Sequence, residues 1–175
     1  AISISIPSHT TTRCKDAEFS RTYTKCLSHA NKNKKYEEGF ITYAGRDFLL
    51  RQGYTIKSFS PPGSHGGIGL RNGYRGKGAI IPDIIAQKED SIFLVEAKAS
   101  FDLGDVEKLG NITEDHIKDL KQKLNLSDEW FKMWPTYLHK AICIGTNEKE
   151  MSTLPIPDDL FVLAYINDEI VVYKG

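Results

Sequence analysis

Residues 79–98 read AIIPDIIAQKEDSIFLVEAK, and this stretch decides the fold. Two apolar runs, residues 79–86 and 91–97, flank the polar tetrapeptide QKED, a pattern typical of a β-hairpin. If the turn is centred on Glu89 and Asp90, residues whose numbers sum to 179 face each other across the two strands. The hairpin register is therefore predicted residue by residue.

Three charged residues interrupt this apolar hairpin: Asp83, Glu96 and Lys98. In the predicted register Asp83 lies opposite Glu96, and directly opposed side chains on antiparallel strands have Cβ atoms about 4.5–5.5 Å apart. Lys98 follows Glu96 by two residues, so it projects from the same face of the sheet. The sequence thus predicts two carboxylates and an ammonium together at the end of two apolar strands.

Two facing carboxylates in partly buried surroundings repel each other, and each loses hydration. A divalent cation would remove this conflict, and Mg²⁺ is often held by only one or two protein carboxylates. A lysine beside it can orient or deprotonate the attacking water, or stabilise charge on the phosphate. The pattern predicts metal-assisted phosphodiester hydrolysis; the alternative is a buried salt-bridge group that needs no metal.

The segments around the hairpin alternate between helical and strand patterns. Residues 35–52 have apolar side chains at four-residue spacing and end before Gly53, which predicts a helix. The other predicted elements are a strand over residues 54–59, a helical stretch over 102–126 broken near Gly110-Asn111, a second over 128–138 interrupted at Pro135, a strand over 140–145, and a closing hairpin of residues 160–166 and 169–173 joined at Asn167-Asp168.

This order of elements predicts a single α/β (α+β) domain with a mixed central β-sheet flanked by helices. Within residues 1–175 we expect a polar N-terminal extension over residues 1–34, a catalytic core over 35–145 and a C-terminal β-hairpin region over 146–175. A chain of 175 residues is long enough for one proper core and too short to suggest two domains.

Composition narrows the class of protein. The 40% apolar and 26% charged residues are typical of a globular domain, and no segment approaches the ~20 apolar residues of a membrane span or resembles a signal peptide. The cysteines, Cys14, Cys26 and Cys143, are odd in number and form no CxxC pair. We therefore expect neither a disulfide framework nor a zinc cluster, and a reducing cytoplasmic location without a membrane partner.

The formal net charge of zero conceals an asymmetry. Residues 1–80 hold 13 lysines and arginines against 5 acids, and residues 81–175 hold 10 against 18. A basic half can serve phosphate backbones and an acidic half can hold metal ions, although the two halves can equally interleave and neutralise each other.

The hairpin motif resembles that of a known family. Ile81-Pro82-Asp83, followed after a dozen residues by Glu96-Ala97-Lys98 at the end of an apolar strand, is similar to the motif of the PD-(D/E)XK nuclease superfamily, which includes most type II restriction endonucleases. The resemblance implies a restriction-endonuclease-like core: a helix, a three-stranded antiparallel meander, a crossover helix and a further strand. The predicted order of elements matches that core over residues 35–145.

The resemblance also implies roles for individual residues. It makes Asp83, Glu96 and Lys98 catalytic, with Lys98 activating water, and it places the metal, Mg²⁺ with Mn²⁺ able to substitute, at Asp83, Glu96 and Ala97. Many members add an acid from the first helix, for which Glu38 is our candidate.

Glu37 remains the alternative to Glu38. It precedes Phe40 and Ala44 by 3 and 7 residues and so shares their predicted core-facing side, whereas Glu38 lies about 100° round the helix. Either acid could instead be a solvated first-turn residue favoured by the helix dipole.

The Gly/Pro-rich loop of residues 60–78 carries four candidates for nucleic-acid contact: His65, Arg71, Arg75 and Lys77. Flexible backbone with arginine and lysine suits a clamp on a groove or on phosphates, and a mobile surface loop is the plainer interpretation. No P-loop is present, because GKS/T followed by a helix is missing.

The sequence thus leads us to expect a Mg²⁺-dependent endonuclease, a homodimer that cuts double-stranded DNA at specific sites. Three alternatives remain open. The chain could be an RNase or tRNase toxin, which the polar N-terminal segment and the absence of an initial Met would suit, a junction-resolving nuclease of the same superfamily, or a non-catalytic nucleic-acid-binding subunit.

Overall fold

The computed structural model describes residues 36–73 and 78–175. The helices in this part of the chain are α1 (Glu38–Arg51), α2 (Leu103–Gly110), α3 (Glu114–Leu124), α4 (Asp128–Lys132), α5 (Trp134–Tyr137) and α6 (Glu148–Met151). The strands are β1 (Thr55–Phe59), β2 (Ile84–Lys88), β3 (Ser91–Lys98), β4 (Leu138–Gly145), β5 (Leu160–Ile166) and β6 (Glu169–Lys174).

All six strands form one mixed sheet in the order β1-β2-β3-β4-β5-β6. Strands β1, β2 and β3 make an antiparallel meander, β4 runs parallel to both β3 and β5, and β6 closes the sheet antiparallel to β5. The predicted mixed sheet flanked by helices is confirmed.

The β2–β3 hairpin has the predicted register. Ile84 faces Val95 and Lys88 faces Ser91, so every paired position sums to 179. Glu89, with φ 53°, makes the left-handed step of the turn. The first strand is shorter than the apolar run suggested, because Pro82 cannot donate a ladder hydrogen bond and regular pairing begins only after it.

Helices cover both faces of the sheet. On one face α1 packs through Ile41, Ala44 and Leu49 against residues of β2 to β6. On the other face the helices of the long β3–β4 connection enclose a second cluster that includes Leu109, Ile117 and Leu120. The meander and the β3–β4 crossover therefore lie in one layered core.

Gly45 lets α1 approach the sheet closely. A Cβ atom at this position would lie 2.9 Å from Cys143 Sγ and 3.4 Å from Ile84 Cδ1. Cys143 is fully buried, and burial raises the pKa of its thiol to about 12. Its thiol therefore stays protonated, and the side chain fills space in the hydrophobic core. Cys14 and Cys26 lie outside the described residues.

The helix breaks and the last turn follow the sequence expectations. Helix α2 ends at Gly110, α5 begins at Trp134 with Pro135 in its first turn, and Asn167 and Asp168 take φ values of 50° and 67° in the β5–β6 turn. Such paired left-handed residues are typical of a two-residue hairpin turn.

Among the described residues, none of the helices combines the length and the apolar character needed to cross a bilayer.

Candidate active site

Asp83 and Glu96 lie where the β2–β3 hairpin opens, each one residue beyond the last pair, Ile84 and Val95. Asp83 immediately precedes β2, and Glu96 follows Val95, the last β3 residue paired with β2. Asp83 Oδ2 accepts a hydrogen bond of 2.7 Å from the backbone nitrogen of Ala97. This bond ties the carboxylate of one strand to the backbone of the other, so the side chain of Asp83 is held beside residues 96 and 97.

Glu96 is the most buried acid of this group, with 3% of its side chain exposed. Its Oε2 accepts a 2.7 Å hydrogen bond from Lys108 Nζ, while its Oε1 is buried and has no hydrogen-bond partner among the described residues. Burial raises the pKa of Glu96 to about 7, although Lys108 opposes the rise. An orphaned carboxylate oxygen in such surroundings is costly unless a cation or water satisfies it.

Lys98 ends β3 and points its ammonium at α1. Its Nζ donates hydrogen bonds of 3.2 Å to both carboxylate oxygens of Glu38. Burial works against the charge of Lys98, but the hydrogen bonds and negative charge of Glu38 outweigh it, so the pKa of Lys98 rises above its ordinary value. In this arrangement Lys98 is a charged hydrogen-bond donor.

The structure brings Glu38, rather than Glu37, to the site. Glu37 is the exposed residue preceding α1, whereas Glu38 occupies the first turn and contacts Lys98. The expectation that Glu37 shares the core-facing side is wrong, because the fully buried face of α1 runs through Ile41 and Leu49 and is rotated from the predicted one.

Helix α2 contributes two residues that sequence reasoning missed, Asp105 and Lys108. Lys108 Nζ reaches Glu96 and also donates to the backbone oxygen of Ile81 at 3.1 Å. Asp105 Oδ2 is buried without a partner among the described residues, and burial raises the pKa of Asp105. The two lie three residues apart on one helix face, a spacing that could have suggested a shared role.

The start of α2 is capped, and its apolar side chains orient it against the sheet. Asp102 precedes the helix and its side chain accepts a 2.7 Å hydrogen bond from the backbone nitrogen of Gly104, which satisfies one of the free N–H groups of the first turn. Val106 and Leu109 pack into the core, and Asp105 and Lys108 then face the end of β3. Four carboxylates and two ammonium groups thus belong to one electrostatic cluster: Glu38, Asp83, Glu96, Asp105, Lys98 and Lys108.

The candidates for nucleic-acid contact are only partly placed. His65 and Arg71 are exposed on the loop that precedes β2, and Arg75 and Lys77 lie outside the described residues. The described part of the loop is fastened to α3, since the backbone nitrogen of Arg71 donates to Asp119 Oδ2 at 2.7 Å and Lys123 contacts the backbone oxygen of Gly69.

A cleft of about 620 Å³ lies between this loop and α3. Arg71 and Lys118 line it, but so do Asp115 and Asp119, and Lys118 pairs with Asp115 at 3.4 Å. Because the charges of the lining balance, this cleft does not have the electrostatic character of a phosphate groove.

The donor set suits a divalent cation that keeps part of its water shell. Within residues 36–73 and 78–175 no three acidic, histidine or cysteine side chains come together as a closed metal-ligand group. Asp83 and the orphaned Oε1 of Glu96 would supply two oxygens, which is the number of protein carboxylates that Mg²⁺ commonly uses. The residues present therefore fit a partly hydrated Mg²⁺ better than a fully caged ion.

Comparison of the chain with family models, with curated proteins and with solved structures gave no match.

Proposed function

We propose that this protein is a Mg²⁺-dependent endonuclease that hydrolyses phosphodiester bonds in double-stranded DNA. The observation that carries the proposal is the orphaned, buried Oε1 of Glu96 next to Ala97, whose backbone N–H holds the Asp83 carboxylate, with Lys98 two residues further along the same strand. A buried carboxylate oxygen without a hydrogen-bond partner is costly, and coordination to a divalent cation would remove that cost.

Asp83 and Glu96 would hold the ion, with Ala97 as a further contact through its backbone. When bound, Mg²⁺ polarises a phosphoryl oxygen and lowers the pKa of a coordinated water. Asp83 is already fixed for this task, because the N–H of Ala97 occupies its Oδ2 and orients the carboxylate.

Lys98 would serve as the charged donor of the site. The contact with Glu38 favours its ammonium form, which can donate to a phosphate oxygen or orient a water but cannot accept a proton. Of the three roles that the sequence suggests for Lys98, its environment disfavours deprotonation of water and favours stabilisation of phosphate charge. Glu38 would position Lys98, and the proton of the attacking water would pass to a solvent water molecule.

The order of elements supports the same proposal. A helix, an antiparallel meander, a helical crossover and a strand parallel to β3 follow each other as in the restriction-endonuclease-like core. Asp83 directly before β2, with Glu96 and Lys98 on β3, would then be the residues of the PD-(D/E)XK motif. None of these three residues is replaced in the chain, which favours an enzyme over a non-catalytic binding subunit.

We propose double-stranded DNA as the substrate and a homodimer as the assembly. Cutting both strands at one site needs two active sites, hence a homodimer, and the loop bearing His65 and Arg71 immediately precedes the hairpin and would contact the DNA. Arg75 and Lys77 belong to the same loop and are proposed for the same role.

The test is an incubation of plasmid DNA and total RNA with wild type, Lys98→Ala and the control Lys118→Ala, each with Mg²⁺ and with EDTA. Lys118 is an exposed lysine paired with Glu114 and Asp115, so its replacement removes the same charge away from the site. We expect discrete Mg²⁺-dependent DNA fragments with wild type and control and none with Lys98→Ala.

The other outcomes point to the alternatives. Cleavage confined to RNA would keep the active site and change the substrate to that of a toxin or RNA-processing nuclease. Cutting only of branched DNA in a follow-up assay would indicate a junction-resolving enzyme. Absence of cleavage with either Mg²⁺ or Mn²⁺ would contradict the catalytic proposal and favour the binding subunit.

A further inference from the structure

Lys108 links the two segments that carry the proposed metal ligands. Its Nζ lies 2.7 Å from Glu96 Oε2 on β3 and 3.1 Å from the backbone oxygen of Ile81, two residues before Asp83. Helix α2, which holds Lys108, packs through Leu109 into the core. A single ammonium on a fixed helix therefore spans the open end of the hairpin, where regular pairing between the strands has stopped.

The contact with Lys108 uses only one of the two carboxylate oxygens of Glu96. Lys108 occupies Oε2, and Oε1 stays buried and without a partner among the described residues. A carboxylate can engage an ammonium with one oxygen and a cation with the other, since each oxygen has its own lone pairs. The hydrogen bond from Lys108 thus restricts rotation of the Glu96 side chain while leaving one oxygen for a metal.

We propose that Lys108 is a positioning residue, which holds Glu96 and the Ile81–Asp83 segment in the geometry that binds the divalent cation. The inference rests on the proposed function, because it assigns Lys108 a role toward that same metal. Residues that hydrogen-bond to metal ligands fix the orientation of those ligands, and their removal typically lowers metal affinity 10–100-fold.

If Lys108 instead competed with the metal ion, its removal would change the metal affinity in the opposite direction. If its ammonium occupied the place of the cation at Glu96, removing it would vacate the site and strengthen metal binding. The free Oε1 argues against competition, because Lys108 leaves the second oxygen of the same carboxylate unused. The direction of the change in affinity therefore decides between a positioning residue and a competitor.

The experiment is a calorimetric titration of Mn²⁺ into the full chain without nucleic acid, using wild type, Lys108→Met, Lys108→Arg and the control Lys118→Met. We expect Lys108→Met to weaken Mn²⁺ binding by about 10-fold or more, and Lys108→Arg to recover most of that loss because it keeps a charged donor. Lys118→Met removes an exposed lysine with its own acidic partners and should leave the affinity unchanged.

Asp83→Asn distinguishes failure of this inference from failure of the proposed function. If wild type binds Mn²⁺, Asp83→Asn does not, and Lys108→Met binds as tightly as wild type or more tightly, the role of Lys108 is overturned and the metal site stands. If wild type and Asp83→Asn are equally unable to bind Mn²⁺, both are overturned. Should Lys108→Met not fold, Lys108→Gln, which keeps a donor but loses charge and length, is expected to show the same weakening.

Discussion

Lys98 Nζ lies 3.2 Å from each carboxylate oxygen of Glu38, and this pair joins residues that are 60 positions apart in the chain. It connects the first turn of α1 to the end of β3. Both side chains are about one third exposed, at 36% and 37% for Lys98 and Glu38, so solvent screens the pair and its contribution to stability is small. Its importance lies in where it holds the ammonium of Lys98.

Replacing Glu38 should therefore affect activity more than stability. With Glu38→Gln the negative charge and the charge-assisted hydrogen bonds are lost, so the pKa of Lys98 falls and its ammonium is held less firmly. We expect nuclease activity to drop by about 10- to 100-fold, which corresponds to about 1.4–2.7 kcal/mol in barrier height. Cleavage rates with Mg²⁺, measured beside thermal unfolding in EDTA, test this.

Glu37→Gln is the matched control, because Glu37 is exposed at the same end of α1. Its activity should equal that of wild type. Equal losses for both variants would contradict a specific role for Glu38 and would indicate a general effect of charge at the helix start.

Replacing Glu96 should stabilise the metal-free protein at alkaline pH. Burial raises the pKa of Glu96 from 4.5 to about 7, so the folded state prefers the protonated form, and stability is lost as pH rises through about 7. Glu96→Gln has no proton to lose, and at pH 8 it should exceed wild type by up to about 3 kcal/mol. Denaturant unfolding in EDTA at pH 5 and pH 8 measures the difference.

As the pH falls below about 4.5 the two proteins should converge, because the carboxyl of Glu96 is then protonated in both the folded and the unfolded state. Glu107→Gln, an exposed acid on α2, should follow wild type at both pH values. A destabilised Glu96→Gln at pH 8 would show that the ion pair with Lys108 outweighs the burial of the charge.

The hairpin could be predicted from the sequence because its determinants are local. The polar QKED segment fixes the turn, the apolar runs fix the strands, and together they set the register that pairs Ile84 with Val95, the neighbours of Asp83 and Glu96. The type I′ turn at Asn167 and Asp168 could be located for the same reason. In each case the deciding residues are neighbours in the chain.

Lys108 and Asp105 could not be predicted, because their position depends on how α2 packs over the sheet. Val106 and Leu109 turn inward while Leu103 remains 57% exposed, so apolar spacing alone would have chosen a different face. Glu37 was misplaced for a related reason, since the buried face of α1 is set by close contact at Gly45 rather than by its aromatic residues. Such contacts arise only when the layers come together.

Metal binding should stabilise the protein, and the effect should depend on Asp83. A ligand that binds only the folded state at about 100 times its Kd adds about 2.7 kcal/mol. We expect Mn²⁺ to raise the unfolding temperature of wild type and not that of Asp83→Asn. The exposed acid Asp158 gives the matched control, Asp158→Asn, which should respond as wild type does.

The rise in unfolding temperature caused by Mn²⁺ should also become smaller as the pH is lowered. Burial raises the pKa of both Asp83 and Glu96, so protons compete with the cation at a higher pH than for exposed acids. Thermal unfolding at pH 5 and pH 8 tests this. An unfolding temperature that Mn²⁺ raises as much at pH 5 as at pH 8 would indicate that the ion binds groups other than Asp83 and Glu96.

Substitution of Gly45 should disturb the contact between α1 and the sheet. In Gly45→Ala the new Cβ would lie 2.9 Å from Cys143 Sγ, too close without a shift of the helix or of β4. Overpacking of this kind typically costs about 1–3 kcal/mol, and the better helix propensity of alanine offsets about 1 kcal/mol of that. Because Glu38 lies on the same helix, a shifted α1 should also loosen its contact with Lys98 and reduce activity.

A double-mutant cycle tests the cause. Cys143→Ala removes the sulfur that the new methyl group would meet, so Gly45→Ala/Cys143→Ala should be more stable than the sum of the two single changes predicts, by about 1 kcal/mol or more. Activity should recover together with stability if α1 returns to its position. Purely additive unfolding energies would mean that the helix accommodates the methyl group elsewhere, since residues in contact are expected to couple.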